Sequence, residues 1–276
     1  MSEKNVLSGL KIGVLGTGHM GQALIRGLVE KNAYPQRIIA YDVDKKKLHT
    51  FQKETHIKAA QSSRQCASLA DVVILAVKPQ GLESLAQEIE TALGQNTLVM
   101  SIAAGVPLKK LQSFFSKPVA LVRVMPNMPA LVGSGMSAFS LGRHCANKHK
   151  KIAEAILASF GEAVPVQEKM LDLVTAVSGS GPAYFFLLAE KLIEAAYEMG
   201  MKVDIAKKLV YQTAFGSGRV MIEELEDPED LIARVASKGG TTEAALRVFK
   251  KQGIGKIIQD AVKAAYERSK EISESA

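Results

Sequence analysis

The chain has no tryptophan, six tyrosines and nine phenylalanines among its 276 residues, so flat aromatic platforms are scarce. Without them, and without a zinc-finger, helix-turn-helix or RNA-binding aromatic signature, a net charge of +7 does not make a nucleic-acid reader, and no nucleic-acid partner is expected. The charge is dispersed over Lys45-Lys46-Lys47, the 148–151 stretch, Lys207-Lys208 and the C-terminal segment, which suits anionic small molecules. Two cysteines, Cys66 and Cys145, lack CxxC or metal-like spacing, which excludes a disulfide framework or thiolate centre. Five histidines include no HExxH pair, so no metal is expected. No apolar run approaches the ~18–20 residues of a membrane span, and no membrane partner is expected. The first ten residues lack the long apolar core of a secretory signal, so a cytoplasmic location is expected. Repeats, low-complexity stretches and Pro-rich linkers are missing too. The 47% hydrophobic and 23% charged content is that of a folded chain.

What is present divides in two. Up to about residue 166, short apolar runs alternate with helical periodicity: Ile12-Gly13-Val14-Leu15, Ile38-Ile39-Ala40-Tyr41, Val72 to Val77, Thr97 to Ile102 and Val119 to Val124. Continuous rather than alternating apolar strands predict a parallel sheet covered on both faces. Weaker strands near 135–139 and 163–166 extend it, with a helix over 148–160 between them. Beyond residue 166 the pattern is helical throughout: 182–199, 204–224, 228–236, 242–251 and 254–272. The predicted fold is α/β, a Rossmann-type parallel-sheet domain over 9–166 followed by an all-α domain over 167–276. Tyr184-Phe185-Phe186-Leu187-Leu188-Ala189 is apolar around the whole helix, more than a small helical domain can bury alone, and self-association is expected.

Gly16-Thr17-Gly18-His19-Met20-Gly21 follows the first strand and opens a helix, and Asp42 ends the next strand 21 positions after Gly21. In that context a GxGxxG motif is a dinucleotide fingerprint: Gly16 for the turn, Gly18 for approach of the pyrophosphate, Gly21 for helix–strand packing. Asp42 stands where a carboxylate accepts from the adenosine ribose, which leans toward NADH. Lys45, Lys46 and Lys47 lean toward a 2′-phosphate, and the preference between NADH and NADPH stays open. Ala76-Val77-Lys78-Pro79 and Ser101-Ile102-Ala103-Ala104-Gly105 end parallel strands at the carboxyl edge, where ligands of open α/β sheets bind. Ala76, Val77, Lys78, Pro79, Ile102, Ala103 and Ala104 therefore join the cofactor set, as does Ser63, with Lys78 equally readable as a solvated loop lysine. Asn127, between Pro126 and Pro129, is either near the same crevice or a turn residue.

A second anion cradle lies at Ser237-Lys238-Gly239-Gly240-Thr241-Thr242-Glu243. Two glycines and three hydroxyls precede a helical pattern, aiming backbone N–H groups and a positive helix end at one point. A Thr N-cap with a following Glu explains part of this, but not the Gly-Gly pair after a serine. The cofactor phosphates belong to the first fingerprint, which leaves this loop for a substrate carboxylate.

Gly16 to Gly21, Ala76 to Pro79, Val177-Ser178-Gly179-Ser180-Gly181-Pro182-Ala183-Tyr184 and Ser237 to Thr242, with 101–106 and 125–130, resemble the pyrroline-5-carboxylate reductase family over almost the whole chain. The resemblance implies reduction of 1-pyrroline-5-carboxylate, a cyclic imino acid, to L-proline with NADPH or NADH. It implies a helical domain interlocking with a second copy, as a dimer or a dimer-based ring. It also implies a carboxylate held at Ser237, Gly240 and Thr241, with Thr242 contacting the ring nitrogen as the catalytic hydroxyl. Two positions depart from the family pattern: Lys238 stands where proline is usual, and Met128 where threonine is.

The residues bear on the alternatives. A β-hydroxyacid dehydrogenase places a catalytic Lys four residues after its last motif glycine and an Asn three further on. Counted from Gly181, those positions hold Phe185 and Leu188, which do no proton chemistry. A non-catalytic dinucleotide-sensing module needs the first fingerprint but has no use for the second loop.

Overall fold

In each apolar strand of the first half, successive side chains enter different cores. Val72 and Ile74 belong to one buried cluster with Ile12, Leu24, Leu28 and Met100, whereas Val73 and Leu75 belong to another with Leu82, Ile89 and Val99. Period-two alternation therefore puts both faces of the sheet under helices, and this is why the strands read as continuous apolar runs. The computed structural model describes residues 6–31 and 35–275. The first five residues of the stretch weighed as a leader lie outside these.

The chain divides into two compact units, one reaching Ser180 and including the chain's end from Ala265, the other Gly181–Ala264. The boundary expected at 166/167 comes earlier than this division, and the expected second domain, 167–276, takes in the chain's end, which groups with the first unit.

The first unit is built on an eight-stranded sheet of order β3-β2-β1-β4-β5-β6-β7-β8. Its elements are β1 (Ile12–Leu15), α1 (His19–Lys31), β2 (Ile38–Tyr41), α2 (Lys45–Thr55), β3 (Lys58–Ala59), α3 (Ser63–Leu69), β4 (Val72–Leu75), α4 (Leu82–Ile89), β5 (Leu98–Ser101), α5 (Leu108–Ser113), β6 (Ala120–Met125), β7 (Gly135–Leu141), α6 (Asn147–Leu157) and β8 (Gly161–Pro165). Strands β3 to β6 run parallel, with Ile12 in register with both Ile38 and Val72. The order reverses between β1 and β4, and at such a switch point the carboxyl ends leave a crevice.

The all-parallel expectation fails at one joint: β7 pairs antiparallel to β6, with Arg123 opposite Ser140. Residues 126–134 connect the two and are too few for a crossover helix, so the chain turns back. The following connection carries α6, and β8 again pairs parallel to its neighbour β7.

After β8, α7 (Leu171–Val174) widens into a π-helical turn, Thr175–Gly179, in which the Ser180 N–H bonds the Thr175 carbonyl at 2.8 Å. The turn runs into the Val177–Tyr184 motif, and a Cβ added at Gly179 would collide with the Met125 side chain.

The second unit holds α8 (Gly181–Glu198), α9 (Val203–Glu224), α10 (Pro228–Val235), α11 (Thr241–Lys251) and the start of α12 (Ile254–Ser275). Within Gly181–Ala264 only Gly181 and Ala206 are buried. Phe185, Phe186 and Leu187 of α8 are each more than half exposed, as are Tyr211 and Phe215 of α9. Among the described residues one helical stretch, Glu168–Glu198, is long and apolar enough by length and composition to cross a membrane, at mean hydropathy 1.3. It is not an unbroken apolar run: its Leu, Val, Phe and Ala residues and sparse charges raise the average, while Ser178, Gly179, Ser180, Gly181 and Pro182 interrupt it.

Candidate functional site

The fingerprint forms at the switch point. The Gly16 N–H bonds the Tyr41 carbonyl at 2.8 Å, and Gly16 adopts φ +104°. A Cβ there would collide with the Ala76 carbonyl, and one on Gly21 would collide with the Gly16 carbonyl. Gly18, by contrast, faces nothing within 4 Å. Two glycines are thus demanded by packing, and the third leaves an open approach to the backbone. That is the division of labour a pyrophosphate cradle requires. His19 opens α1 and is exposed, and Met20 is half-buried beside it.

The ends of β4 and β5 adjoin this turn. The Ala76 N–H donates to the Leu15 carbonyl at 2.8 Å and the Ile102 N–H to the Leu75 carbonyl at 3.2 Å, while Val77 flanks Gly16. Ala103 is buried and Ala104 exposed. Lys78 is an exposed residue preceding the 3₁₀ turn Pro79–Gly81. Ser63 is buried in the first turn of α3, with its hydroxyl on the Glu88 carboxylate.

Asp42 follows β2 and turns inward. Its Oδ2 accepts from the Thr17 N–H (2.6 Å), the Thr17 hydroxyl (2.8 Å) and the Lys47 ammonium (3.0 Å), and its Oδ1 accepts from the Asp44 N–H (2.9 Å). Burial opposes its ionisation, but the hydrogen bonds from Thr17, Asp44 and Lys47 outweigh that and hold its carboxyl below the usual carboxylate range. Cys66, beneath the sheet, is inert: burial pushes its thiol up to about 12.

The β5 loop is braced by a cluster that sequence reasoning missed. Arg123, buried on β6, lies 3.4 Å from Glu168 and 3.5 Å from Asp172. Glu168 accepts from the Leu108 N–H at 2.6 Å, and Asp172 accepts from the Ser269 and Ser273 hydroxyls at 2.9 and 2.8 Å. Ile272, on the same end of α12, packs against Gly105, where a Cβ would overlap it. The visible signal was an arginine inside the apolar Val122-Arg123-Val124 run. Asn127 is a fastener: its Oδ1 accepts from the Met136 N–H at 2.8 Å and its Nδ2 donates to the Ser178 hydroxyl at 3.2 Å.

In the second unit, α11 begins after Gly240, which is the N-cap; the expected Thr cap is not made, and no side chain caps the helix. Gly239 takes φ +74°, its N–H is held by Glu243, and the Gly240 N–H bonds the Ser237 carbonyl at 2.9 Å. The first-turn N–H groups of Thr241 and Thr242 have no partner in the helix ladder, and the Thr242 side chain is half-buried on that turn. Lys238 is exposed. A side-chain cap would occupy these donors, and a glycine cap leaves them for an anion.

Comparison with known proteins gives two family-model matches: residues 168–272 match pyrroline-5-carboxylate reductase dimerisation, and residues 11–105 match NADP oxidoreductase coenzyme F420-dependent. The membrane-length stretch lies wholly inside the dimerisation match. The chain is 34% identical over 266 residues to pyrroline-5-carboxylate reductase 1 of Bacillus spizizenii, covering 96% of this chain and 90% of that one. Among solved structures, a pyrroline-5-carboxylate reductase from Coxiella burnetii superposes with TM-score 0.91 at 33% identity, covering 96% of this chain and 98% of that one. A Plasmodium falciparum pyrroline carboxylate reductase with NADP bound superposes with TM-score 0.85 at 31% identity, with the same coverage.

Proposed function

The chain belongs to the pyrroline-5-carboxylate reductase family, and from that premise we propose that it reduces 1-pyrroline-5-carboxylate to L-proline with NADPH or NADH, as a cytoplasmic, dimer-based assembly. The observation that carries the substrate reading is the glycine-capped start of α11, whose first-turn N–H groups have no partner in the helix ladder, in a chain that already has a glycine-rich cradle at Gly16–Gly21.

The bound nicotinamide cofactor supplies the hydride. The Gly16-Thr17-Gly18 turn and the α1 N–H groups hold its pyrophosphate. Ala76 to Pro79 and Ile102 to Ala104 line the adjoining strand ends, and Ser63 supports that side from α3. The Ser237 hydroxyl and the Thr241 N–H take the substrate carboxylate at the positive end of α11, and Gly240, whose own N–H is held by the Ser237 carbonyl, lets the backbone close against Ser237 as the cap. The Thr242 hydroxyl accepts a hydrogen bond from the protonated ring nitrogen and so orients the C=N carbon. The substrate arrives as the iminium, so hydride addition at carbon needs no further proton at the nitrogen, and the residues contribute by positioning. The partners in this reading are a small imino acid and further copies of the chain, not nucleic acid or membrane.

The test is loss of the reduced-nicotinamide absorbance on adding pyrroline-5-carboxylate. No turnover by folded protein with either cofactor would falsify the reading. Thr242→Ala is expected to lower turnover about 10–100-fold, the scale of one hydrogen bond to a charged group, with cofactor affinity unchanged. An equal loss of cofactor affinity would remove Thr242 from the substrate's side.

A further inference from the structure

An acidic residue at the end of the second strand ordinarily accepts the adenosine ribose hydroxyls and thereby favours NADH. In this chain that residue is already engaged. Three donors, the Thr17 N–H, the Thr17 hydroxyl and the Lys47 ammonium, converge on its Oδ2, and the Asp44 N–H takes one of the two acceptor sites of Oδ1. Thr17, between the first two fingerprint glycines, is fully buried, and Asp42 is 7% exposed, whereas the next residue, Val43, is 85% exposed. The carboxylate therefore points under the glycine-rich turn rather than across the outer rim where a ribose would lie.

We propose that Asp42 is a positioning residue of the glycine-rich turn, acting through Thr17, and that it does not discriminate NADH from NADPH. Its two bonds to Thr17 fix the peptide between Gly16 and Gly18, so the backbone donors keep their aim. Its charge is met at 3.0 Å by Lys47 and so repels a 2′-phosphate weakly. The neighbouring cations add to that tolerance: Lys45 is held over the Tyr41 ring at 3.9 Å and on the Gln61 carbonyl, and Lys46 is exposed. The inference rests on reading the turn as the cofactor cradle.

The test is calorimetric titration of the full-length protein with NADH and with NADPH, for wild type, Asp42→Asn, Thr17→Val and Thr17→Ser. An asparagine presents a donor where one of the four donors now points. Asp42→Asn is therefore expected to raise both dissociation constants by about tenfold, the scale of one lost charged hydrogen bond, with their ratio nearly unchanged. Thr17→Val lacks the hydroxyl and follows the same direction more mildly; Thr17→Ser keeps the hydroxyl and restores affinity. The double variant Asp42→Asn/Thr17→Val is expected to lose less than the sum of the two, because they share one bond. At saturating cofactor the turnover of Asp42→Asn returns toward wild type, a KM effect that a loss of folded protein does not produce.

A shift of the NADPH-to-NADH ratio by tenfold or more in Asp42→Asn, or unchanged affinity for both, overturns the proposal. If Asp42→Asn does not fold, the valine and serine variants decide alone. Wild type that binds neither cofactor defeats the cradle reading itself, before any variant is compared.

Discussion

The two units of this chain are stabilised by opposite means. The first buries alternate strand residues in two cores, one on each face of its sheet, and beside its surface pairs it has ion pairs with a buried member: Arg123 with Glu168 and Asp172, and Asp42 with Lys47. The second buries two residues and leaves the aromatic and aliphatic side chains of α8 and α9 in the open. Its ion pairs, such as Arg219 with Glu223 and Arg234 with Glu226, lie on the surface. A sheet lined by helices on both faces closes its core within one chain, whereas two long helices with apolar residues all round do not. Exposed apolar area on this scale marks an interface, and the dimerisation match over 168–272 covers these helices.

The largest effect should come from breaking the exposed face. Phe215→Glu puts a charge on α9 where an aromatic ring is 62% exposed. If that ring is an interface anchor, the dissociation constant of the assembly rises about 100-fold, the scale of a hot-spot loss, by sedimentation velocity. Cofactor affinity, a property of the first unit, is expected to persist. An intact assembly with this variant would mean that the α9 face is covered by something other than a second copy.

The converse variant works on the first unit alone. Gly16→Ala sets a side chain at φ +104° against the Ala76 carbonyl. Left-handed strain of about 1–2 kcal/mol, before the collision is counted, predicts a cofactor dissociation constant raised about 10–100-fold. Self-association should be unaffected, and a loss of both properties together would show that the units are not separable.

A third pair of variants compares how each unit uses charge. Asp172→Ala strips two serine hydroxyls of their acceptor and leaves Arg123 with Glu168 alone, at an expected cost of about 2–3 kcal/mol. That corresponds to a Tm lower by roughly 4–10 °C for a unit of this size. Arg219→Gln removes an i,i+4 surface pair worth about 0.3–0.5 kcal/mol, so its Tm should fall by no more than roughly 4 °C. Equal shifts from the two would erase the distinction.

Much of this was legible in the sequence where the signal was local. Gly16, Gly18, Gly21 and Asp42 could be read by spacing because a strand, a turn, a helix and a second strand follow one another in a single βαβ unit. The helices from α8 to α12 were legible because 3.6-residue periodicity is local too. Direction and orientation were not. The antiparallel β7 depends on how far residues 126–134 can reach, which hydrophobic pattern does not encode. The inward turn of Asp42 depends on a threonine 25 positions earlier, and the Asp172 cluster on serines about 100 positions later. The Gly240 cap was obscured because Thr241 and Thr242 are themselves good capping residues, and only the backbone shows which residue takes the cap.

Asp42 also gives the smallest and most specific contrast, one of pH. Its carboxyl titrates below the ordinary range in the folded unit, because its hydrogen bonds and Lys47 together outweigh the cost of its burial. A carboxyl whose folded pKa is depressed adds stability that is complete above its unfolded pKa, near 3.9, and that is lost as pH falls through the folded value. Wild type should therefore melt higher than Asp42→Asn at neutral pH, and the gap should narrow only once the pH drops below the ordinary carboxylate range. Every other carboxylate titrates in both proteins and cancels in the difference. A gap that stays constant down to strong acid would mean that Asp42 holds the turn by shape rather than by charge. A gap that closes above pH 5 would mean that its carboxyl is not depressed at all.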